Sequence, residues 1–141
     1  MKTAGSIVLT ALFFTTTSFA ESFTMGQQVV HQFTTLCQAG KYQQAADECL
    51  ADNVYFASPK FTYKSKQEWL QKFPSFHQKN VATSGNDNNN GPMFDALIEA
   101  VSDKVFVRRG KAKILGWHIS VKETIELNEQ GKIIRSVLQK A

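Results

Sequence analysis

The sequence predicts an α+β domain in which the helices come first and a long antiparallel sheet comes last. Apolar residues recur with a helical period in the first half of the chain, and from Met93 onward the segments have strand character. The clearest strand runs over residues 117–127, where apolar and polar side chains alternate. Glu123 alone interrupts its apolar row. The length of 141 residues suits one domain with a single core.

The first twenty residues predict a cleaved secretory signal peptide. A lysine near the start precedes a short apolar segment over residues 7–14, and Ser18-Phe19-Ala20 is a small-x-small cleavage site. The apolar segment is too short to span a bilayer. We therefore expect segment 1–20 to be removed, the domain to cover 21–141, and the protein to be periplasmic or secreted.

The charge of the mature chain predicts no nucleic-acid partner. After removal of the signal peptide the chain keeps 15 basic and 12 acidic residues, which gives a net charge of +3. This charge is weak and its basic residues are scattered, whereas nucleic-acid binding favours a concentrated basic surface. We also expect no membrane span after signal cleavage.

Two neighbouring helices open the domain. Thr24 and Gln27 form a capping box, and an apolar stripe follows over residues 24–38. Ala39-Gly40 ends this helix, and a second helix is predicted from Lys41 to about Leu50. The short connection predicts that the two helices pack side by side.

A short strand and a third helix come next. The strand covers residues 53–57, and Phe61-Thr62-Tyr63 either continues it or forms an irregular loop. Ser65 and Glu68 form a second capping box, and Pro74 is expected to end or kink the helix at Phe73.

A polar segment separates this part from the sheet. Residues 84–92, S-G-N-D-N-N-N-G-P, favour turns and predict a surface loop, or alternatively a functional lid. The four strands of an antiparallel meander follow, at residues 94–100, 104–114, 117–127 and 132–139.

Glu123 has two interpretations, because a carboxylate in a buried row is costly unless it is paired or used. It is either a pocket carboxyl that serves as an acid, a base or a hydrogen-bond donor, or half of a buried ion pair. A three-residue connection centred on Gly116 would place Arg109 opposite Glu123, as an ion pair or as a polar anchor for a ligand. A register shifted by one residue would bring Arg108 there and reverse its face.

The cysteines and histidines predict no metal site. Cys37 and Cys49 are the only cysteines, and an exported chain favours a disulfide between them over two buried free thiols. Their spacing matches no metal motif, and His31, His77 and His118 lie on separate predicted elements. No cofactor-binding or phosphate-binding motif occurs, so no cofactor is expected.

The order of elements resembles the nuclear transport factor 2-like (NTF2-like) superfamily, and within it the SnoaL-like and ketosteroid isomerase group. The segments L-A-D-N-V-Y-F-A-S-P at residues 50–59 and E-L-N-E-Q-G-K-I-I at residues 126–134 carry the resemblance. It implies a cone-shaped fold in which a strongly curved antiparallel sheet wraps around three N-terminal helices and encloses a pocket. It also implies a homodimer.

The isomerase chemistry of that group is only partly carried over. The position of its general base is Ser58, just before Pro59, and the position of its oxyanion tyrosine is Phe33. The position of its protonated carboxyl is Glu123. A serine is no base near neutral pH without help, and phenylalanine has no hydroxyl, so steroid isomerisation is not expected.

We expect the pocket to bind a small, largely apolar ligand. The expected ligand-binding residues are Arg109, Phe33, Phe56, Ser58, Trp69 and Trp117. One alternative is an isomerase, dehydratase or hydrolase that uses Glu123 as its acid or base. Another is an interaction module without a ligand, because the fold hosts many functions.

Overall fold

The structure is a computed structural model that describes residues 24–79, 93–114 and 116–141. The predicted signal peptide and the predicted loop at 84–92 lie outside the described residues. The described residues form three helices and six strands. These are α1 (Met25–Gln38), α2 (Tyr42–Cys49), β1 (Leu50–Ser58), β2 (Phe61–Tyr63), α3 (Lys66–His77), β3 (Met93–Ala100), β4 (Val105–Ile114), β5 (Trp117–Leu127) and β6 (Ile133–Lys140).

The predicted capping box at α1 is complete, whereas at α3 only the Ser65 half forms, because the Glu68 carboxylate accepts from the N–H of Lys64 and not from that of Ser65. At the start of α1, Thr24 Oγ1 accepts a hydrogen bond from the Gln27 N–H at 3.2 Å, and Gln27 Oε1 accepts one from the Thr24 N–H at 2.7 Å. At the start of α3, Ser65 Oγ accepts a hydrogen bond from the Glu68 N–H at 3.0 Å. These bonds satisfy N–H groups that the first helical turn leaves without partners.

Helix α3 continues through Pro74, so of the two expected effects of this proline, an end or a kink at Phe73, the end is wrong. A proline removes one helical hydrogen bond, but the next turn still forms, because the Gln78 N–H donates to the carbonyls of Pro74 and Ser75. The continuation carries His77 to the wall of the internal cavity.

The sheet confirms the predicted antiparallel meander and adds two strands to it. Its strand order is β2-β1-β6-β5-β4-β3. Neighbouring strands are antiparallel except β1 and β6, which pair in parallel, so the sheet is mixed. The α+β class and the succession of helices followed by a long sheet are confirmed. Among the described residues, no helix has both the length and the hydropathy that a bilayer crossing requires.

The register between β4 and β5 corrects one prediction. Ile114 pairs with Trp117, which leaves a two-residue connection in which Gly116 has φ 85°. Arg108 therefore pairs with Glu123, and Arg109 pairs with Lys122. The predicted Arg109–Glu123 pair is wrong because the connection is one residue shorter than expected, and a shift of one residue exchanges the two faces of a strand.

The helices cover one face of the sheet. Gly26 of α1 lies so close to the sheet that a Cβ there would come within 2.2 Å of the Phe106 ring. The fully buried core between the helices and the sheet includes Val30, Trp69 and Phe106. The core face of β4 thus carries Phe106, Arg108 and Ala112, and Arg109 lies exposed on the opposite face.

Candidate functional site

A cavity of about 170 Å³ lies between the helices and the sheet. This is room for a small organic molecule and not only for a few waters. Phenylalanine is the most frequent residue in its wall. The six are Phe33, Phe56, Phe61, Phe73, Phe76 and Phe94.

A buried ion pair forms the polar part of the wall on the sheet side. Arg108 Nε donates to Glu123 Oε1 at 2.6 Å, and the two side chains are only 10 % and 12 % exposed. Ser136 Oγ donates to Glu123 Oε2 at 2.6 Å, so both carboxylate oxygens accept a bond. Arg108 Nη1 donates to Thr34 Oγ1 at 2.7 Å and thereby links the sheet to α1. A buried charge pair needs such additional bonds to offset its desolvation.

The guanidinium of Arg108 also packs against an aromatic ring. Its Cζ lies 4.1 Å from the centroid of Phe94, which is a cation–π contact. Nε and Nη1 have partners, and no described residue bonds to Nη2. The planar group is therefore held by Glu123, Thr34 and Phe94, with donor capacity left over.

A second polar group lines the cavity from the helical side. His77 is 7 % exposed, and its Nδ1 lies 2.8 Å from the hydroxyl of Tyr42. Burial lowers the pKa of His77. Burial is also the largest of the causes that raise the pKa of Tyr42. Both groups are therefore neutral at pH 7.

The two cysteines are free and buried, so the expected Cys37–Cys49 disulfide is not formed. This arrangement corresponds to the alternative interpretation, two buried thiols. Cys37 lines the cavity. Burial is the main cause that raises the pKa of Cys37 to about 12 and that of Cys49 to about 11, so both remain protonated thiols.

Four of the expected catalytic and ligand-binding residues line the cavity: Phe33, Phe56, Ser58 and Glu123. Ser58 occupies the turn between β1 and β2, where its Oγ accepts hydrogen bonds from the N–H groups of Lys60 (3.1 Å) and Phe61 (3.2 Å). Its oxygen is thus engaged in closing the turn.

Three other expected ligand-binding residues lie elsewhere. Trp69 is fully buried behind the wall, with its ring 5.5 Å from Phe33 and 6.0 Å from Phe56, because α3 turns it into the core. Trp117 is 74 % exposed, because it begins β5 beyond the part of the sheet that the helices cover. Arg109 lies on the face away from the helices.

Several residues of the polar cluster were not predicted from the sequence. Ser136 lies in an apolar row between Ile134 and Leu138, the same signal that singled out Glu123 one strand away. Arg108 was predicted only as the alternative that a shift of one residue would bring opposite Glu123. Apolar residues occupy both faces at the start of β4, so alternation did not identify its buried side. Thr34 lies beside Phe33 on α1 and carried no signal of its own.

The described residues contain no group of three or more histidine, cysteine, aspartate or glutamate side chains arranged to hold a metal ion. The cavity instead offers aromatic surface, one ion pair with spare donors, and a neutral imidazole.

No family model and no curated protein matches the sequence. Solved structures show its fold. An NTF2-like protein of unknown function from Cytophaga hutchinsonii ATCC 33406 is 12 % identical, with a TM-score of 0.57 over 84 % of this chain and 91 % of that chain. A protein from Agrobacterium tumefaciens str. C58, named as a candidate isomerase of the SnoaL-like family, is 12 % identical, with a TM-score of 0.59 over 84 % and 99 %.

A third structure is a candidate SnoaL-like polyketide cyclase from Mesorhizobium loti. It is 20 % identical, with a TM-score of 0.51 over 79 % of this chain and 96 % of that chain. These similarities establish the NTF2-like fold, as the order of elements predicted. At such identities they establish the fold alone.

Proposed function

We propose that this chain, which has the NTF2-like fold, binds a small, largely apolar ligand whose polar group lies against Arg108. One observation carries the proposal: six phenylalanines line the cavity together with a buried ion pair, and Nη2 of its Arg108 has no hydrogen-bond partner among the described residues. Ligand sites in proteins combine apolar walls with a few polar groups in just this way.

The phenylalanine wall supplies the affinity. Each Å² of apolar surface removed from water stabilises the complex by roughly 25 cal/mol. Aromatic rings also stack against a flat ligand at low entropic cost, because a phenylalanine has only two rotatable side-chain bonds.

Arg108 supplies the orientation. The bonds to Glu123 and Thr34 fix the guanidinium plane, so Nη2 needs little reorganisation to meet an acceptor. A ligand carboxylate, carbonyl or hydroxyl oxygen suits this donor.

Binding is favoured over acid–base catalysis by Glu123. Both of its oxygens already accept hydrogen bonds, from Arg108 and from Ser136. An isomerase, dehydratase or hydrolase activity would require Glu123 to exchange one of these partners during turnover.

Native mass spectrometry of the purified protein tests the proposal directly, because a resident small molecule adds its mass to the chain. Arg108→Lys keeps the positive charge and removes the planar donor group, and we expect it to lower the occupancy of that molecule. Arg109→Lys is the matched control and should leave it unchanged. A cavity that takes up no small molecule from lysate or from an apolar fragment library would contradict the proposal.

Glu123→Gln separates the enzyme from the binding protein. If the molecule is turned over and Glu123→Gln binds it without turnover, the enzyme is the better description. If Glu123→Gln merely changes stability and affinity, the binding function stands.

We further propose that two copies pair through the outer face of β3 and β4. There Leu97 and Val107 form an apolar groove, with Asp95 and Glu99 on one side and Arg109 on the other. A twofold axis between two such faces brings the acidic strand of each copy to the basic strand of its partner. Leu97→Asp should lower the mass measured by light scattering, whereas the exposed Val101→Asp should not.

We also propose that the protein acts outside the cytoplasm. The support is the pattern of the first twenty residues, which predicts a signal peptide. An intact mass that begins at Glu21 in the exported fraction would agree with this. A mature protein that retains Met1 or Lys2 would contradict it.

A further inference from the structure

We propose that His77 is a second polar anchor of the cavity, a neutral imidazole that donates its Nε2–H to an acceptor oxygen of the ligand. The ligand class is then a small apolar molecule with acceptor oxygens at two places, one for Arg108 and one, such as a ketone, for His77. This inference rests on the proposed function, since it concerns the same cavity.

The ring of His77 is held in one orientation. It stacks on Phe73 at a centroid distance of 5.1 Å and an interplanar angle of 23°. Tyr42 meets it edge-on at 5.7 Å and 83°. With Nδ1 directed to the Tyr42 hydroxyl at 2.8 Å, Nε2 is the polar atom that remains for the cavity.

The hydrogen bond of Tyr42 selects the tautomer of His77. Among the described residues, His77 Nδ1 lies within hydrogen-bond distance of the buried Tyr42 hydroxyl, at 2.8 Å, and is the acceptor to which that hydroxyl can give its proton. A neutral imidazole that accepts at Nδ1 carries its proton on Nε2.

Burial keeps both groups in these states. It lowers the pKa of His77 and is the largest cause that raises the pKa of Tyr42. The phenol therefore retains the proton that it donates, and the imidazole takes up no second one near pH 7.

The Nε2–H has no partner among the described residues. A polar group at the wall of a cavity costs free energy unless water or a ligand satisfies it. A carbonyl oxygen satisfies this donor and adds no donor of its own. A ligand hydroxyl could also accept the hydrogen bond, but its own O–H would then need a separate acceptor. The apolar surface between Arg108 and His77 calls for a hydrocarbon or aromatic body.

The first test measures the tautomer. A long-range proton–nitrogen NMR spectrum of protein labelled with ¹⁵N-histidine, recorded near pH 8, should show Nε2 protonated and Nδ1 unprotonated for His77. Tyr42→Phe keeps the aromatic contacts and removes the hydroxyl, so the signal should shift toward a mixture of tautomers. A wild-type His77 protonated on Nδ1 overturns the inference whatever binds in the cavity.

The second test measures the ligand class with two probes of similar shape. 4-Acetylbenzoate offers a carboxylate and a ketone oxygen, whereas 4-isopropylbenzoate replaces the ketone by an apolar group. Calorimetry on the wild-type protein should show about 3- to 10-fold tighter binding of the acetyl compound, the usual effect of one net hydrogen bond. His77→Phe should abolish the preference, and the exposed His118→Phe should keep it.

The outcomes distinguish the two proposals. If both probes bind the wild-type protein equally well, His77 is no anchor for an acceptor, and the proposed binding function stands. If neither probe nor any member of an apolar fragment library binds, the proposed function fails and this ligand class fails with it. If His77→Phe does not fold, two measurements on the wild-type protein still test the inference. These are its preference between the two probes and the tautomer of His77 observed by NMR.

Discussion

Arg108 Nε lies 2.6 Å from Glu123 Oε1, across neighbouring strands and beneath the helical layer. Almost nine-tenths of each side chain is shielded from water. Such a pair contributes little net stability, but losing one partner leaves a buried charge without compensation. Replacing one partner should therefore destabilise the fold strongly, whereas replacing both partners together should destabilise it much less.

Glu123→Gln should lower the free energy of unfolding by about 3 kcal/mol, because it leaves the Arg108 guanidinium buried without a counter-charge. Urea denaturation measures this loss. Glu126→Gln, at an exposed position of the same strand, is the control and should change stability by less than about 0.5 kcal/mol. Equal effects at the two sites would show that the pair is solvated.

Replacing both partners with apolar residues should restore stability. Arg108→Met combined with Glu123→Leu removes both charges and approximates the volume, so the double variant should unfold at a higher urea concentration than Glu123→Gln. A double variant less stable than the single one would mean that the hydrogen bonds to Thr34 and Ser136 outweigh the charge pair.

Ser136→Ala should cost about 1.5–3 kcal/mol, the usual range for a hydrogen bond to a charged group. Ser136 is buried, and its hydroxyl is the donor to Glu123 Oε2. The exposed Ser120→Ala serves as the matched control in the same thermal or urea measurement. A neutral Ser136→Ala would indicate that water replaces the hydroxyl.

The two thiols should react only after unfolding. With a pKa of about 12 for Cys37 and about 11 for Cys49, the thiolate fraction at pH 8 is very small, and both groups are buried. A thiol reagent should therefore detect two groups per chain in urea and react slowly without it. A mass lower by two hydrogens, with no reactive thiol in urea, would establish a disulfide instead.

Stability should fall as the pH is lowered through 6.5, and His77 should account for part of the slope. Burial lowers its pKa in the folded state below the reference value of 6.5, so the unfolded chain binds the proton at a higher pH. The stability contributed by neutral His77 is present above pH 6.5 and is lost between that value and the lower folded-state pKa. Urea denaturation of wild type and His77→Gln between pH 5 and 8 measures this slope.

His118→Gln is the control for that experiment, since His118 is exposed on β5. It should keep the wild-type pH dependence, whereas His77→Gln should flatten it. Parallel curves for wild type and His77→Gln would refute a depressed pKa. Tyr42, which faces His77 from α2, has a pKa raised above its ordinary value and does not titrate in this range.

Much of the fold follows from local chemistry. The cap formed by Thr24 and Gln27 and the alternation over residues 117–127 each depend on neighbours within a few positions, and both are reproduced in the structure. The place of Glu123 in a buried row follows from the same period of two, and it lies on the core side of β5.

The partner of Glu123 could not be derived in that way. A choice between Arg108 and Arg109 depends on whether the connection at Gly116 has two or three residues, and the alternation in β4 is too weak to decide. Likewise, His77 enters the cavity only because α3 continues past Pro74. Both depend on tertiary packing that no short stretch of sequence encodes.

The placement of β6 constrains the order in which the domain can assemble. This last strand lies between β1 and β5, so the first strand of the sheet finds its parallel neighbour only when residues 133–140 are available. Pairing across so much of the chain is a slow, non-local step in folding. A nascent chain that lacks its last ten residues should therefore have no completed sheet, and the ribosome must release the C-terminus before the domain becomes resistant to proteases.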